Sequence, residues 1–271
     1  MFAQINHVAL ISPQWPLLGR FYEAAFGLRL SPSAKRRPLN GITVGDGRVG
    51  LNINPRRDRF PAGLDHFGFG VDDVETVLER MRRKYPEASF VKRPSTRPFA
   101  AYTGADPDGN TFDLAQKKND TRIGIYADQA SGGWEQERYI NKFAIRTLHP
   151  EPVAEFYRDV FELTPLNRPD VPGFHLSDGR VALSILPWSL ALYEGTAVLR
   201  PGPDHFGFKV ENLDSFQQQV REIAGLNFHF APVPLGGSKE TDRRKQIFAE
   251  SATGKLQMAD PEGNWLDVTD E

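Results

Sequence analysis

Bulky apolar residues alternate with smaller or polar ones along INHVALI at 5–11 and along DHFGFGV at 65–71, the two-residue period of a strand with one buried face. Between them the period lengthens: Leu17, Phe21, Ala24 and Ala25 recur at helical spacing, Ser12 and Pro13 are start signals, and Gly27 is a stop. GITVG and RVGLNIN then read as two β-rich runs around an Asp46-Gly47 turn, a hairpin signal. After DHFGFGV, Asp72 or Asp73 caps a helix carrying Val74, Val77, Leu78 and Met81 at i, i+3, i+4 and i+7, and strands follow at SFVKR, FAAYTGA and TFDLAQ. The turn 106–110, Asp-Pro-Asp-Gly-Asn, joins the last two. The order is strand, helix, three strands, and then the same again.

The second half of the chain repeats the first. Ile5-Asn6-His7 recurs as Ile140-Asn141-Lys142, FYEAAFGL at 21–28 as FYRDVFEL at 156–163, and DGRV at 46–49 again at 178–181. DHFGF at 65–69 returns at 204–208, and ADPDGN at 105–110 returns as ADPEGN at 259–264. Helices are expected again over 151–163 and 213–223. The spacing between the last two pairs grows in the second copy, which places an insertion at about 232–254, expected to be a lid or interface loop. The domains expected are 1–118 and 139–271, with a polar linker at 119–138 that contains Ser-Gly-Gly.

Composition narrows the chemistry. A chain of 271 residues is long enough for two cores, and the balance of Lys+Arg 33 against Asp+Glu 35 offers no electrostatic footprint for nucleic acid or an anionic membrane. With no Cys, disulfides, thiolate nucleophiles and Cys-ligated metals are excluded, leaving His and carboxylates as metal ligands. No apolar run is long enough for a membrane span and no leader pattern opens the chain, so a cytoplasmic protein is expected.

Paired modules opening with HVAL and DHFGFGV, with FYEAAFGL on the first helix and DPDGN before the last strand, resemble the vicinal oxygen chelate superfamily. That superfamily includes glyoxalase I, extradiol ring-cleaving dioxygenases and bleomycin-binding proteins. The resemblance implies an α+β fold of four βαβββ modules, paired into two tandem half-barrel domains. It also implies divalent-metal ligands projecting inward from first and last strands.

The residues themselves point to a centre in the first domain. His7 and His66 hold equivalent places on the opening strands of two modules, so a pseudo-twofold brings the imidazoles together. Alternation puts His66, Gly68 and Gly70 on one face, with space above the imidazole, and Phe67, Phe69 and Val71 on the other. The resemblance adds Asp113, where the family usually has Glu, completing a two-His-one-carboxylate set with open positions. It also implies Tyr102 as a catalytic residue contacting a substrate oxygen, and Fe(II) as the metal ahead of Mn(II) or Zn(II). The later strands of the first module contain no His to act as an acid or base, unlike extradiol enzymes.

In the second domain Lys142 replaces His7, while His205 and Asp267 keep the other two places. No metal is expected there. Lys142 is expected to pair with Asp267, with Arg146 and Lys209 on the same inner faces, making either an anion-binding pocket or a copy kept for its packing. His149, His175 and His229 receive no role, and the segments EGTAVLRPG and SKETDRRKQ are candidates to line a cleft. Three functions compete: an extradiol-type metal-dependent oxidoreductase on a small aromatic diol, a glyoxalase- or epimerase-like metalloenzyme on a 2-oxo or enediolate substrate, and a metal-free, drug-sequestering binding protein. The partner expected is a small molecule, with no nucleic acid or membrane, and the family's habit of pairing modules between chains allows a homodimer.

Overall fold

Three of the four strand–helix repeats form in full, and the fourth exchanges one strand for a helix. The computed structural model describes residues 1–30, 41–58, 60–94, 99–120, 137–192, 198 and 200–271. The first module is β1 (Ala3–Ser12), α1 (Trp15–Phe26), β2 (Arg29–Leu30), β3 (Ile42–Gly45) and β4 (Gly50–Pro55). The second is β5 (Gly63–Val71), α2 (Val74–Lys84), β6 (Phe90–Lys92), β7 (Tyr102–Ala105) and β8 (Thr111–Gln116). The third is β9 (Tyr139–Thr147), α3 (Pro150–Phe161), β10 (Thr164–Leu166), β11 (Phe174–Ser177) and β12 (Ala182–Pro187). The fourth is β13 (Gly202–Lys209), α4 (Leu213–Leu226), α5 (Lys239–Ser251), β14 (Leu256–Ala259) and β15 (Trp265–Thr269).

The caps follow from the sequence with one shift. Asp73 accepts the Thr76 N–H at the start of α2, and Gly27 closes α1 in the left-handed region at φ 66, where a side chain is disfavoured. The N-cap of α1 is Gln14 rather than Ser12; the Ser12 hydroxyl accepts from Gln14 N and donates to Glu262 of the other half. The 119–138 linker lies almost entirely outside the described residues. No helix among the described residues is long and apolar enough to cross a membrane.

Each half is one mixed sheet. The first has the order β2-β3-β4-β1-β5-β8-β7-β6 and the second β10-β11-β12-β9-β13-β15-β14, so in both the two modules meet through the antiparallel pairing of their opening strands. This α+β arrangement is the tandem half-barrel architecture expected. The pairing of modules is completed within the chain.

The repeated motifs join the two halves. Asp46 Oδ2 accepts the Ile140 N–H at 2.9 Å, and Asp178 Oδ2 accepts the Ile5 N–H at 2.6 Å. Tyr22 OH donates to Asp260 at 2.7 Å and Tyr157 OH to Asp106 at 3.0 Å. Between these reciprocal bonds the phenylalanine faces of the opening strands stack across the junction, Phe69 on Phe161 at 4.1 Å and Phe26 on Phe208 at 3.8 Å. One apolar core therefore runs through both halves.

The insertion in the fourth module is no open loop. Ser238 and Thr241 form a capping box that starts α5, whose Ile247 and Phe248 are buried, with Phe248 stacked on Trp265 at 4.9 Å. The helix packs on the face of the second sheet that carries Lys142 and His205.

Candidate metal centre

A single row across the first sheet builds the site. Gly50 on β4 pairs with His7 on β1, His7 with Gly68 on β5, Gly68 with Asp113 on β8, and Asp113 with Thr103 on β7. Cross-strand neighbours share a face, so the imidazole and carboxylate project from the same side of the sheet. The glycine between them is what lets them approach: a Cβ on Gly68 would lie 2.1 Å from His7 Cε1. His66 enters from the same strand as Gly68, two residues earlier, and its ring meets that of His7 edge to face with centroids 5.5 Å apart.

The donor atoms converge on one oxygen. Asp113 Oδ2 is 3.4 Å from His66 Nε2 and 3.7 Å from His7 Nε2, and the three ligand atoms all lie within 4.8 Å of one another. Two ligands bound at about 2.1 Å to one ion are separated by at most about 4.2 Å, so both carboxylate–imidazole distances suit a shared cation. The opposite ring nitrogens are held by acceptors: His66 Nδ1 lies 2.6 Å from Asp65 Oδ2 and His7 Nδ1 2.7 Å from Asn6 Oδ1. With the Nδ1 protons donated outward, each Nε2 is turned toward the carboxylate, so that a deprotonated ring presents its lone pair there, the outer-shell arrangement that orients metal-ligating histidines.

Asn6 reaches His7 because a register shift between Ile5 and His7 turns two consecutive residues inward. Its amide nitrogen donates to Asp120 at 2.9 Å, extending the chain carboxylate, amide, imidazole. The shorter Asp113 in place of Glu is thus accommodated by position, one glycine away from His7.

Electrostatics follow from this crowding. Burial alone would push the Asp113 carboxyl up, but its hydrogen bonds and charge interactions with His66 and His7 outweigh that and hold it well below the usual carboxylate range. Burial likewise pulls His66 down, yet Asp113 and Asp65 raise it to about 9 in the metal-free chain.

Tyr102 requires a correction. It pairs with Leu114, not with Asp113, and packs on the apolar side of the sheet with its ring 6.2 Å from Phe90. Alternation gives the inner position to its neighbour Thr103, whose hydroxyl donates to Asp113 Oδ1 at 2.6 Å. Arg93 completes this side: its Nε donates to the Thr103 hydroxyl and its Nη2 sits 3.4 Å from Asp113 Oδ1. Neither residue is marked by the sequence pattern alone. Their signal was the edge strand SFVKR lying opposite FAAYTGA, which places Arg93 beyond the end of β6, where a long side chain can fold back.

On the first module's wall Asn52 pairs with Ala9 and accepts from the Thr43 hydroxyl at 3.0 Å, so an amide stands where an acid or base would be useful. The side chain of His7 is 0% exposed and that of Asp113 3%, against 15% for His66 and 28% for Arg93. Access therefore lies on the His66–Arg93 side. A Gly68→Ala variant, whose Cβ collides with the buried His7 ring, is expected to lose about 1–3 kcal/mol of stability and about tenfold in metal affinity. Urea unfolding and metal titration measure these separately.

The corresponding row in the second sheet is Ala182, Lys142, Gly207, Asp267 and Gln257. Lys142 Nζ lies 2.7 Å from Asp267 Oδ2 and also donates to Thr253 Oγ1 at 3.2 Å and Ser251 O at 3.4 Å. The ammonium thus joins the sheet to the end of α5. His205 donates from Nδ1 to Asp204, while its buried Nε2 has no hydrogen-bond partner, 4.0 Å from Asp267 Oδ2. Burial first, then the nearby Lys142 charge, lower the His205 pKa and keep the ring neutral.

Comparison with known proteins agrees with this architecture. Residues 4–114 match the Glyoxalase/Bleomycin resistance protein/Dioxygenase superfamily. A mutant 4-hydroxymandelate synthase from Streptomyces coelicolor superposes with TM-score 0.62 at 13% identity, covering 99% of this chain and 92% of that one. The 2,2',3-trihydroxybiphenyl 1,2-dioxygenase of Sphingomonas wittichii strain RW1 does so with TM-score 0.61 at 16% identity, covering 99% and 90%. A Mn(II)-bound glyoxalase from Novosphingobium aromaticivorans gives TM-score 0.61 at 13% identity, covering 99% and 82%. No curated protein matches by sequence. Residues 4–114 are thus similar in sequence to that superfamily, and the chain as a whole shares the fold of these solved structures.

Proposed function

We infer that the protein is a metal-dependent oxidoreductase of the extradiol type, acting on a small aromatic diol-like substrate at a centre held by His7, His66 and Asp113. The observation that carries this reading is the convergence of both Nε2 atoms on Asp113 Oδ2. Three protein ligands leave positions open for substrate and dioxygen, and the last strand of the first module presents Gly50 and Asn52 toward the row, with no carboxylate to serve as a fourth ligand. The ion, Fe(II) before Mn(II) or Zn(II), would supply Lewis acidity and, as ferrous iron, the redox chemistry of oxygen activation.

The chain's own part is positional. Asn6 and Asp65 fix the imidazoles, Thr103 holds the outer carboxylate oxygen, and Arg93 offers a guanidinium at the open side that suits an ionised substrate oxygen. The related structures named above include a dioxygenase and a glyoxalase, so the shared fold supports both chemistries. The inward place of Thr103 and Asn52 favours the second reading, a Lewis-acid enzyme on a 2-oxo or enediolate substrate, because neither residue can act as the phenol or the acid–base histidine of catechol cleavage. Oxygen uptake with a panel of catechols after anaerobic ferrous loading separates the two. Consumption of dioxygen supports the oxidoreductase; none with any catechol, alongside isomerisation of a 2-oxoaldehyde thiol adduct, transfers the site to the second.

A pH effect tests the centre without activity. The raised His66 value contributes stability that is complete below its ordinary 6.5 and disappears as pH rises through about 9. The metal-free protein should therefore lose stability across that window. Because an ion requires the deprotonated ring, binding at about pH 7.5 should release about one proton per chain. Calorimetry in two buffers of different ionisation enthalpy reads this directly; heats identical after buffer correction for no proton would count against the centre.

A further inference from the structure

A second cavity is lined by none of the three metal-centre residues. At the junction of the two halves a cavity of about 310 Å³ is lined by Arg146, Arg200 and Arg244, with Asp204 as the one acid lining it among the described residues. Arg146 is committed to the fold: it pairs with Asp204 at 2.7 Å, donates to Ser251 Oγ at 3.0 Å and to Pro187 O at 3.2 Å. Arg200 and Arg244 have no carboxylate partner among the described residues. The cavity therefore carries two guanidinium groups without a carboxylate partner among the described residues, in a chain whose net charge is -2, so the positive charge is local and not a property of the whole surface. Its walls include apolar side chains: Trp265 is 6% exposed and stacked on Phe248, and Leu64 faces it from the first half.

We propose that this cleft binds a small organic dianion, a phosphate monoester or a dicarboxylate, with Arg200 and Arg244 pairing its oxyanions and Trp265 and Leu64 covering its apolar body. Guanidinium groups match the planar, two-oxygen edge of both ligand types. The volume suits a ligand at the small end of metabolite size. Arg244 comes from the inserted helix α5, which has no counterpart in the first half, and Arg200 from the run before β13, where the first half has Pro61 at the equivalent place. The second domain, which places Lys142 where a metal ligand stands in the first, thus gains a recognition site of its own beside it. None of the three metal-centre residues lines this cleft.

The test is titration calorimetry on the full chain at low salt, with and without chelator, using phenyl phosphate and phthalate as probes and benzoate as the singly charged control. Saturable binding of at least one dianion is expected, weakening at least about tenfold in Arg200→Gln/Arg244→Gln and with rising salt, and unchanged by chelator. An Arg56→Gln/Arg57→Gln variant makes the same change in net charge at exposed positions and should bind as the parent does. Preference between phenyl phosphate and phthalate identifies the anion. No saturable binding of either dianion, equal weakening in both double variants, or equal affinity for benzoate would overturn the site. Loss of the metal centre would leave this result intact.

Discussion

Lys142→Met should destabilise the protein by about 3 kcal/mol, the lower end of the cost of breaking a buried ion pair, while its circular dichroism spectrum keeps the native form. Removing the ammonium leaves Asp267 ionised at 2% exposure, with the backbone N–H groups of Thr253 at 2.8 Å and Gly254 at 2.9 Å as its remaining strong donors. Burial alone pushes that carboxyl up, and it is the Lys142 charge, with the hydrogen bonds from Lys142 and the Thr253 N–H, that brings it below its ordinary value. The end of α5 loses its tie to the sheet in the same substitution, because Lys142 also bonds Ser251 O and Thr253 Oγ1. Lys142→Met/Asp267→Asn should recover most of the loss, since a neutral amide needs no counter-charge. Urea unfolding of the single and double variants measures both; a single variant as stable as the parent would show that the pair is not holding the second cup together.

Asp113→Ala should weaken metal binding by more than about a hundredfold, well beyond the effect of altering an outer-shell partner, with little change in fold. Both imidazoles would stay in place through Asn6 and Asp65. The variant also removes the first source of the raised His66 value, so the His66 titration, followed by NMR in metal-free protein, should move down from about 9. Unchanged metal affinity with an unchanged His66 titration would remove Asp113 from the centre.

Much of this was legible in the chain. The repeats stand out because both copies keep the residues that join the halves: Asp46 with Asp178, Tyr22 with Tyr157, Asp106 with Asp260. The strand and helix periods follow from faces that each have one buried side. The inner position on β7 did not follow. Tyr102 and Thr103 differ by a single step of a two-residue alternation, and only the register with β8 decides which side chain meets Asp113.

The inserted helix was also hidden. Its residues 239–246 are polar and charged, and only Ile247, Phe248 and Ser251 are buried, too few to set a period that reads as a core helix. Its capping box at Ser238 was the available signal. The inward turn of Asn6 rests on a register shift, a feature of strand pairing that no local pattern encodes.

The most direct test of the metal centre is elemental analysis by plasma mass spectrometry of untagged protein purified without oxygen and reloaded with ferrous ion or manganese, beside His7→Ala. The account predicts about one ion per chain in the parent and none above background in the variant, with both folded by circular dichroism. Metal absent from the parent after loading, or retained equally by His7→Ala, would contradict it.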